Sequence, residues 1–340
     1  MKHLGKTNPF RSATGDVLPN SIAEVAYVRL GDVDQWVMLR GRNVANPPLI
    51  VLHGGPGMSE KGFFRRCNAP LEQHFTVVHW DQRGAGKSFD PHIPRSSMTL
   101  AQFVSDLDEL VEMVRQRLGQ PKVALLGHSW GSVLGAIYAA QFPEKVSAYV
   151  GAAQIGDWAA GESLSYSFAL VEAERRRDAK TLSELHFIGP PPYPAESVFV
   201  ERTAIARMDG QMRLGVLWKA GRALLGRPES SILDLPNLVR GFRFSLDAMW
   251  AEVSKLNLLE RVPELTMPVV IVVGRRDHWV PPETSVAFYD ALIAPSKTLV
   301  WFDHSGHEAF VDEPDKFNSM MIELVWPRAF SPDISRDRVA

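Results

Sequence analysis

Leu100, Phe103, Val104, Leu107, Leu110, Val111, Val114 and Leu118 recur at intervals of three and four. That spacing lines one face of a helix and predicts one over 99–118. Thr99 is placed to cap it, with Gln102 reaching back, and Gly119 followed by Pro121 stops it. Elsewhere the apolar residues come in short runs of strand length: Ala23 to Leu30, Gln35 to Arg40, Pro48 to Leu52, Phe75 to Trp80, Pro121 to Leu126, Val146 to Ala153, Met267 to Val273 and Lys297 to Phe302. The first two, separated by Gly31-Asp32-Val33-Asp34, predict an opening hairpin. Helical stretches fall between the later runs, at Val133 to Phe142, after Pro281-Pro282-Glu283, and from Pro314 to Trp326. Strand, helix and strand in alternation predict an α/β architecture, a mostly parallel central sheet flanked by helices.

From about Gly156 to about Met249 the pattern changes. The chain there is more polar, and no β-branched run is long enough for a strand. Glu172 to Arg177 reads as a solvated helix face, and Pro190 to Pro194 as a stiff link between helical pieces. The expected organisation is a first core segment over 1–155, a mostly helical cap insertion over 156–249, and a second core segment over 250–340.

Composition narrows the function more than the fold. A net charge of −2 over 340 residues leaves no basic excess for phosphates, so nucleic acid is not an expected partner. Cys67 is the single cysteine, which excludes an intrachain disulfide and suits a reducing compartment. The polar stretch Met1 to Asn20 does not read as a signal peptide, and no apolar run has membrane-spanning length. The expectation is a cytoplasmic protein with no membrane partner, acting on a small molecule or short peptide.

Three predicted strand ends carry reactive side chains. Leu125 and Leu126 lead into Gly127-His128-Ser129-Trp130-Gly131, a strand-to-helix turn that would lift the Ser129 hydroxyl clear of the sheet. A serine hydroxyl is a weak nucleophile unless a base activates it. Gly274-Arg275-Arg276-Asp277 and Gly306-His307 close two later strands and supply an acid and a base. Asp157 and Asp303 are alternatives for the acid, and His304 for the base. The order Ser129, Asp277, His307 is that of the α/β-hydrolase fold. Pro48 to Leu52 runs into His53-Gly54-Gly55-Pro56-Gly57, whose backbone can approach a substrate closely. The N–H of Trp130, with one from Gly54 or Gly55, would hold a developing oxyanion. His53 reads as a structural loop residue, and Asp81 and Arg83 as braces of the loop after the fourth strand. Gly86-Lys87-Ser88 is not a phosphate loop, because position 81 is Asp where that motif needs Gly. No metal-ligand spacing is present, so no metal or other cofactor is expected.

The strings His53 to Gly57, Trp80 to Ser88, Gly127 to Ser132, Gly274 to Asp277 and Gly306-His307 together resemble the proline iminopeptidase family. The resemblance covers roughly Ala23 to Gly156 and Met249 to Trp326. It implies a helical cap, a cytoplasmic location, no metal, and release of an N-terminal residue, often proline, from small peptides. The family usually has a second Gly before the nucleophile, where this chain has His128. Its cap tends to carry a Trp-Glu pair that helps bind the substrate amine; the nearest string here is Trp218-Lys219. Glu201 is the cap acid nominated in its place, and His128 and Trp218 are the other candidate substrate-binding residues. A carboxylesterase or lactonase on the same machinery is the alternative activity. A non-catalytic ligand-binding protein would need a broken triad, and Ser129 excludes the aspartate nucleophile of dehalogenases and epoxide hydrolases.

Overall fold

The structure, a computed structural model, describes residues 4–209, 228–231 and 234–330. Eight strands form one sheet in the order β1-β2-β4-β3-β5-β6-β7-β8. β1 (Ile22–Leu30) and β2 (Val33–Gly41) are an antiparallel hairpin, and β2 pairs antiparallel with β4 (Thr76–Trp80). The remaining pairings, through β3 (Pro48–Leu52), β5 (Val123–His128), β6 (Val146–Ala152), β7 (Val269–Gly274) and β8 (Lys297–Phe302), are parallel. The hairpin turn is tighter than its composition suggested. Gly31 (φ +48°) and Asp32 (φ +61°) both occupy left-handed backbone, the geometry of a two-residue turn that follows strand twist, so β2 begins already at Val33.

Central strands are buried on both faces, and alternate residues feed two separate cores. Ile50, Leu52 and Leu125 pack with α2 (Leu100–Leu118) and α3 (Trp130–Gln141) on one face. Leu49, Val51, Ala124 and Leu126 face α1 (Lys61–Asn68) and the helix Pro314–Met320 on the other. That last helix continues to Phe330 through a wider π turn at Met321–Val325.

The Thr99 hydroxyl caps α2 by accepting from the Gln102 N–H at 3.2 Å, and Gly119 ends it at φ +61°. The Gln102 side chain does not reach back to the cap. It donates instead to Asp106 Oδ1 at 2.8 Å. Asp106 sits fully buried on the helix's apolar face and needs donors there. Arg83 Nε and Nη2 supply two at 2.8 and 2.9 Å, and Gln35 Nε2 a third at 2.6 Å. Asp81 is held equally firmly, by Ser59, Lys61 and the Lys87 N–H. These two acids pin the loop after β4, which shapes the end of the sheet where β3 and β5 also terminate.

Between β6 and β7 the described residues contain helices and no strand: α4 (Trp158–Arg176), α5 (Ala179–Ile188), α6 (Ala195–Met208), Leu235–Val253 and the short Leu258–Arg261. The proline run at 190–194 separates α5 from α6. Glu172 pairs with Arg175 and Arg176 on the exposed side of α4. Lys87 Nζ meets Asp234 at 2.8 Å, tying the start of the long fourth helix to the pinned loop. Among the described residues no helix is long and apolar enough to cross a membrane.

Candidate active site

β5 ends at His128 and α3 begins at Trp130, so the whole turn between strand and helix is Ser129. Its backbone sits at φ +53°, ψ −120°, a region an L-residue occupies only when its surroundings force it. The flanking glycines permit the close packing that holds it there. A Cβ on Gly127 would lie 2.3 Å from the Gly131 carbonyl oxygen, and one on Gly131 would lie 2.0 Å from that of Leu52. The start of α3 thus rests directly on the end of β3. Gly131→Ala is expected to lower stability by about 3 kcal/mol, since backbone must move to make room. Gly119→Ala, left-handed but with open space around it, should cost about 1 kcal/mol. Denaturant titration of both variants checks this; equal losses would mean conformation rather than contact sets the cost.

Beside the elbow, the loop after β3 is fixed by Gln82. The Gln82 N–H donates to His53 Nε2 and its side-chain amide to the His53 carbonyl, both at 3.1 Å. His53 Nε2 therefore accepts, its proton resides on Nδ1, and that N–H meets the Gly54 carbonyl at 2.8 Å. Burial holds the His53 pKa below its ordinary value, in keeping with a neutral ring. Gln82 Oε1 also accepts from the Trp130 indole at 3.0 Å, joining the loop to the elbow. Trp130 opens α3, so its backbone N–H has no acceptor within the helix.

The end of β7 delivers Asp277, whose carboxylate is fully committed. Oδ1 accepts from the Trp279 and Val280 N–H groups at 2.9 Å each, and Oδ2 from His307 Nδ1 at 2.9 Å. This leaves His307 Nε2 as the unprotonated nitrogen. The alternatives are engaged elsewhere. Asp157 caps α4 through the Ala160 N–H at 3.1 Å, Asp303 pairs with Arg275 at the surface, and His304 is exposed. Ser132, the other serine of the elbow, donates to the Ser129 carbonyl at 2.6 Å and accepts from the Ile155 N–H.

Ser129, His307, Gly54 and Gly55 line one cleft of about 750 Å³ at the carboxyl ends of the parallel strands. Trp158, Leu246, Trp250 and Trp279 make much of its wall apolar. Of the aromatic side chains between β6 and β7, Phe187 is 90% exposed and Phe168 stacks on His278, so neither lines the cleft. Trp218 lies outside the described residues. Glu201 corrects an expectation. It is fully buried and absent from the cleft wall, its Oε2 accepting from Arg202 at 2.8 Å while Oε1 has no hydrogen-bond partner among the described residues. Burial first, with the Glu162 charge added, pushes its carboxyl up to about 8 against the pull of Arg202. Arg202 and Glu162 are the residues of this group that reach the cleft, paired with each other, and Glu162 also accepts from the Tyr193 hydroxyl at 2.9 Å.

His128 does not line the cleft either. Its Nδ1 lies 2.9 Å from Glu60 Oε1 and its Nε2 2.9 Å from the His307 carbonyl, and its ring is 4.6 Å from the His307 ring. A carboxylate and a carbonyl both accept, so an imidazolium satisfies the two together. Burial opposes that charge, but Glu60 outweighs it and carries the His128 pKa up to about 9. Burial likewise pushes Glu60 up, and the charge and hydrogen bond of His128 more than reverse it. Nothing in the local sequence announces this pair, because His128 ends β5 while Glu60 lies just before α1, 68 residues earlier.

The raised His128 pKa sets a sign. Its stabilisation is complete below the unfolded value near 6.5 and disappears as pH climbs through about 9. His128→Leu, which strands the buried Glu60, is expected to lose on the order of 3 kcal/mol near neutrality. It should also lack the wild-type fall in melting temperature between about pH 6.5 and about 9. An unchanged slope in the variant would exclude His128 as its source.

Known proteins resemble this chain in sequence and in fold. A family profile described as the alpha/beta hydrolase fold matches residues 47–185, and one described as serine aminopeptidase, S33, matches 241–315. A probable aminopeptidase, YbaC, of Bacillus subtilis is 33% identical over 87% of this chain and 94% of its own. A proline iminopeptidase of Heyndrickxia coagulans is 27% identical over 81% of this chain and 89% of its own. The crystal structure of a proline iminopeptidase from Mycobacterium smegmatis superposes with a TM-score of 0.63 at 20% identity, covering 91% of this chain and 99% of that one.

Proposed function

From a chain that belongs to the α/β-hydrolase family, and is a hydrolase, we propose a serine hydrolase that works through an acyl-enzyme on Ser129 and releases an N-terminal residue from small peptides or aminoacyl amides. One observation carries the reading: an elbow serine at φ +53° shares a cleft with His307, whose Nδ1 is occupied by Asp277.

Ser129 Oγ attacks the substrate carbonyl carbon and gives its proton to His307 Nε2. Asp277 Oδ2, accepting from Nδ1, holds that tautomer and offsets the imidazolium charge. The carbonyl oxygen becomes an oxyanion facing the N–H groups of Trp130 and of Gly55 or Gly54, where a lost donor would cost on the order of 3 kcal/mol. The C–N bond breaks as His307 returns the proton to the leaving amine. Water, deprotonated by His307, then attacks the acyl-serine and regenerates the hydroxyl.

The largely apolar wall and the pairing of Glu162 with Arg202 favour a second reading, hydrolysis of hydrophobic acyl esters. A prolyl aryl amide and a short-chain aryl ester, each quenched in acid during turnover and peptide-mapped, separate the possibilities. The acyl group is expected on the Ser129 peptide from both. Turnover with no acyl group on Ser129 would remove the mechanism. Ester turnover with no amide turnover would move the substrate to the ester class.

A further inference from the structure

Four carboxylates line the cleft that contains Ser129: Glu60, Asp157, Glu162 and Glu308. Three are committed. Glu60 is held by His128, Asp157 caps α4, and Glu162 takes Arg202 and the Tyr193 hydroxyl. Glu308 differs. Its backbone carbonyl is fixed by the Val311 and Asp312 N–H groups at 2.8 and 3.0 Å, yet its carboxylate forms no hydrogen bond or ion pair with any described residue. It follows His307 directly, so the two α-carbons are about 3.8 Å apart.

We propose that Glu308 is the anchor for a positively charged amine on the substrate, and hence that the enzyme selects acyl groups with a free N-terminal ammonium. The proposal rests on the aminopeptidase reading and relocates its amine site from the helices after β6 to the loop that carries the catalytic base. In an aminoacyl substrate the amine is two bonds from the scissile carbonyl carbon. Its partner must therefore stand beside the nucleophile and base, which the neighbour of His307 does. Desolvated ammonium is costly to bury without a counter-charge, and so is a lone carboxylate. Each removes the other's penalty. Burial already holds the Glu308 carboxyl above its ordinary range, against the pull of His307 and His128, and an arriving ammonium would draw it back down. A substrate with an acylated N-terminus offers Glu308 no cation and should be refused.

The test compares two competitive ligands of nearly equal shape, prolinamide and cyclopentanecarboxamide, as inhibitors of aryl ester hydrolysis by the full chain. Prolinamide should bind wild type about 30-fold more tightly or better, a ratio worth about 2 kcal/mol. Glu308→Gln should collapse that ratio to about threefold or less, Glu308→Asp should recover part of it, and Glu201→Gln should leave it in place. A ratio that survives Glu308→Gln, no ratio in wild type, or equal weakening of both ligands would overturn the assignment. The acyl-enzyme reading fails separately, by loss of the Ser129 acyl adduct. A retained adduct with a surviving ratio condemns Glu308 alone.

Discussion

Ser129→Ala is expected to abolish labelling by a fluorophosphonate probe and to reduce turnover by about 10⁶-fold, the scale on which a serine hydrolase loses its nucleophile. The fold should be untouched. The Ser129 hydroxyl caps nothing, and alanine at φ +53° carries the same backbone strain that serine does. Ser132 cannot take over, because its hydroxyl is bound to the Ser129 carbonyl and to the Ile155 N–H. Intact-mass measurement after probe treatment, beside a melting curve, checks both halves. A probe adduct on Ser132, or turnover within tenfold of wild type, would end the elbow assignment.

Asp277→Asn should lower turnover by about 10⁴-fold with little loss of stability, for a reason visible in its bonds. The asparagine carbonyl can still accept from the Trp279 and Val280 N–H groups, so the loop keeps its shape. Its amide then faces His307 Nδ1 as a donor. That nitrogen must accept, the proton moves to Nε2, and the base is lost on the side that faces the cleft. Asp157→Asn removes a helix cap at a cost of about 1 kcal/mol, and Asp303→Asn an exposed ion pair worth less. Steady-state kinetics on the three variants decides. A severe Asp157 variant beside a mild Asp277 variant would place the orienting acid after β6.

The fold was legible because its signals are local. A 3–4 spacing ending in glycine specifies α2 whatever surrounds it, and an apolar run of five residues between turn signals specifies a central strand. Strand ends are legible for the same reason, which is how Ser129, Asp277 and His307 could be nominated from the chain and why all three fall beyond the carboxyl ends of parallel strands. What could not be read depends on partners distant in sequence. Gln102 abandons its cap because Arg83 draws Asp106 into the interior. The His128 pKa is raised because Glu60 arrives beside the end of β5 from the segment before α1. Glu201 looked like a wall residue, but the direction a helical side chain faces is set by tertiary packing, and here it faces Arg202 inside the protein. Glu308 had a signal that was available, its place beside His307, but only the occupied state of the other acids gives that place meaning.

Strands β6 and β7 are neighbours in the sheet yet separated in the chain by the helices that begin at Trp158. On a ribosome adding roughly 5–20 residues per second, β7 follows β6 by about 6–25 s. Throughout that interval β6, apolar along most of its length, would be an open edge able to pair with another nascent chain. His307 arrives later still, so under the proposed mechanism a finished elbow serine would wait on the ribosome without its base. Synthesis thus has its own hazard and its own safeguard: the exposed edge invites misassembly before the enzyme is able to act on its surroundings.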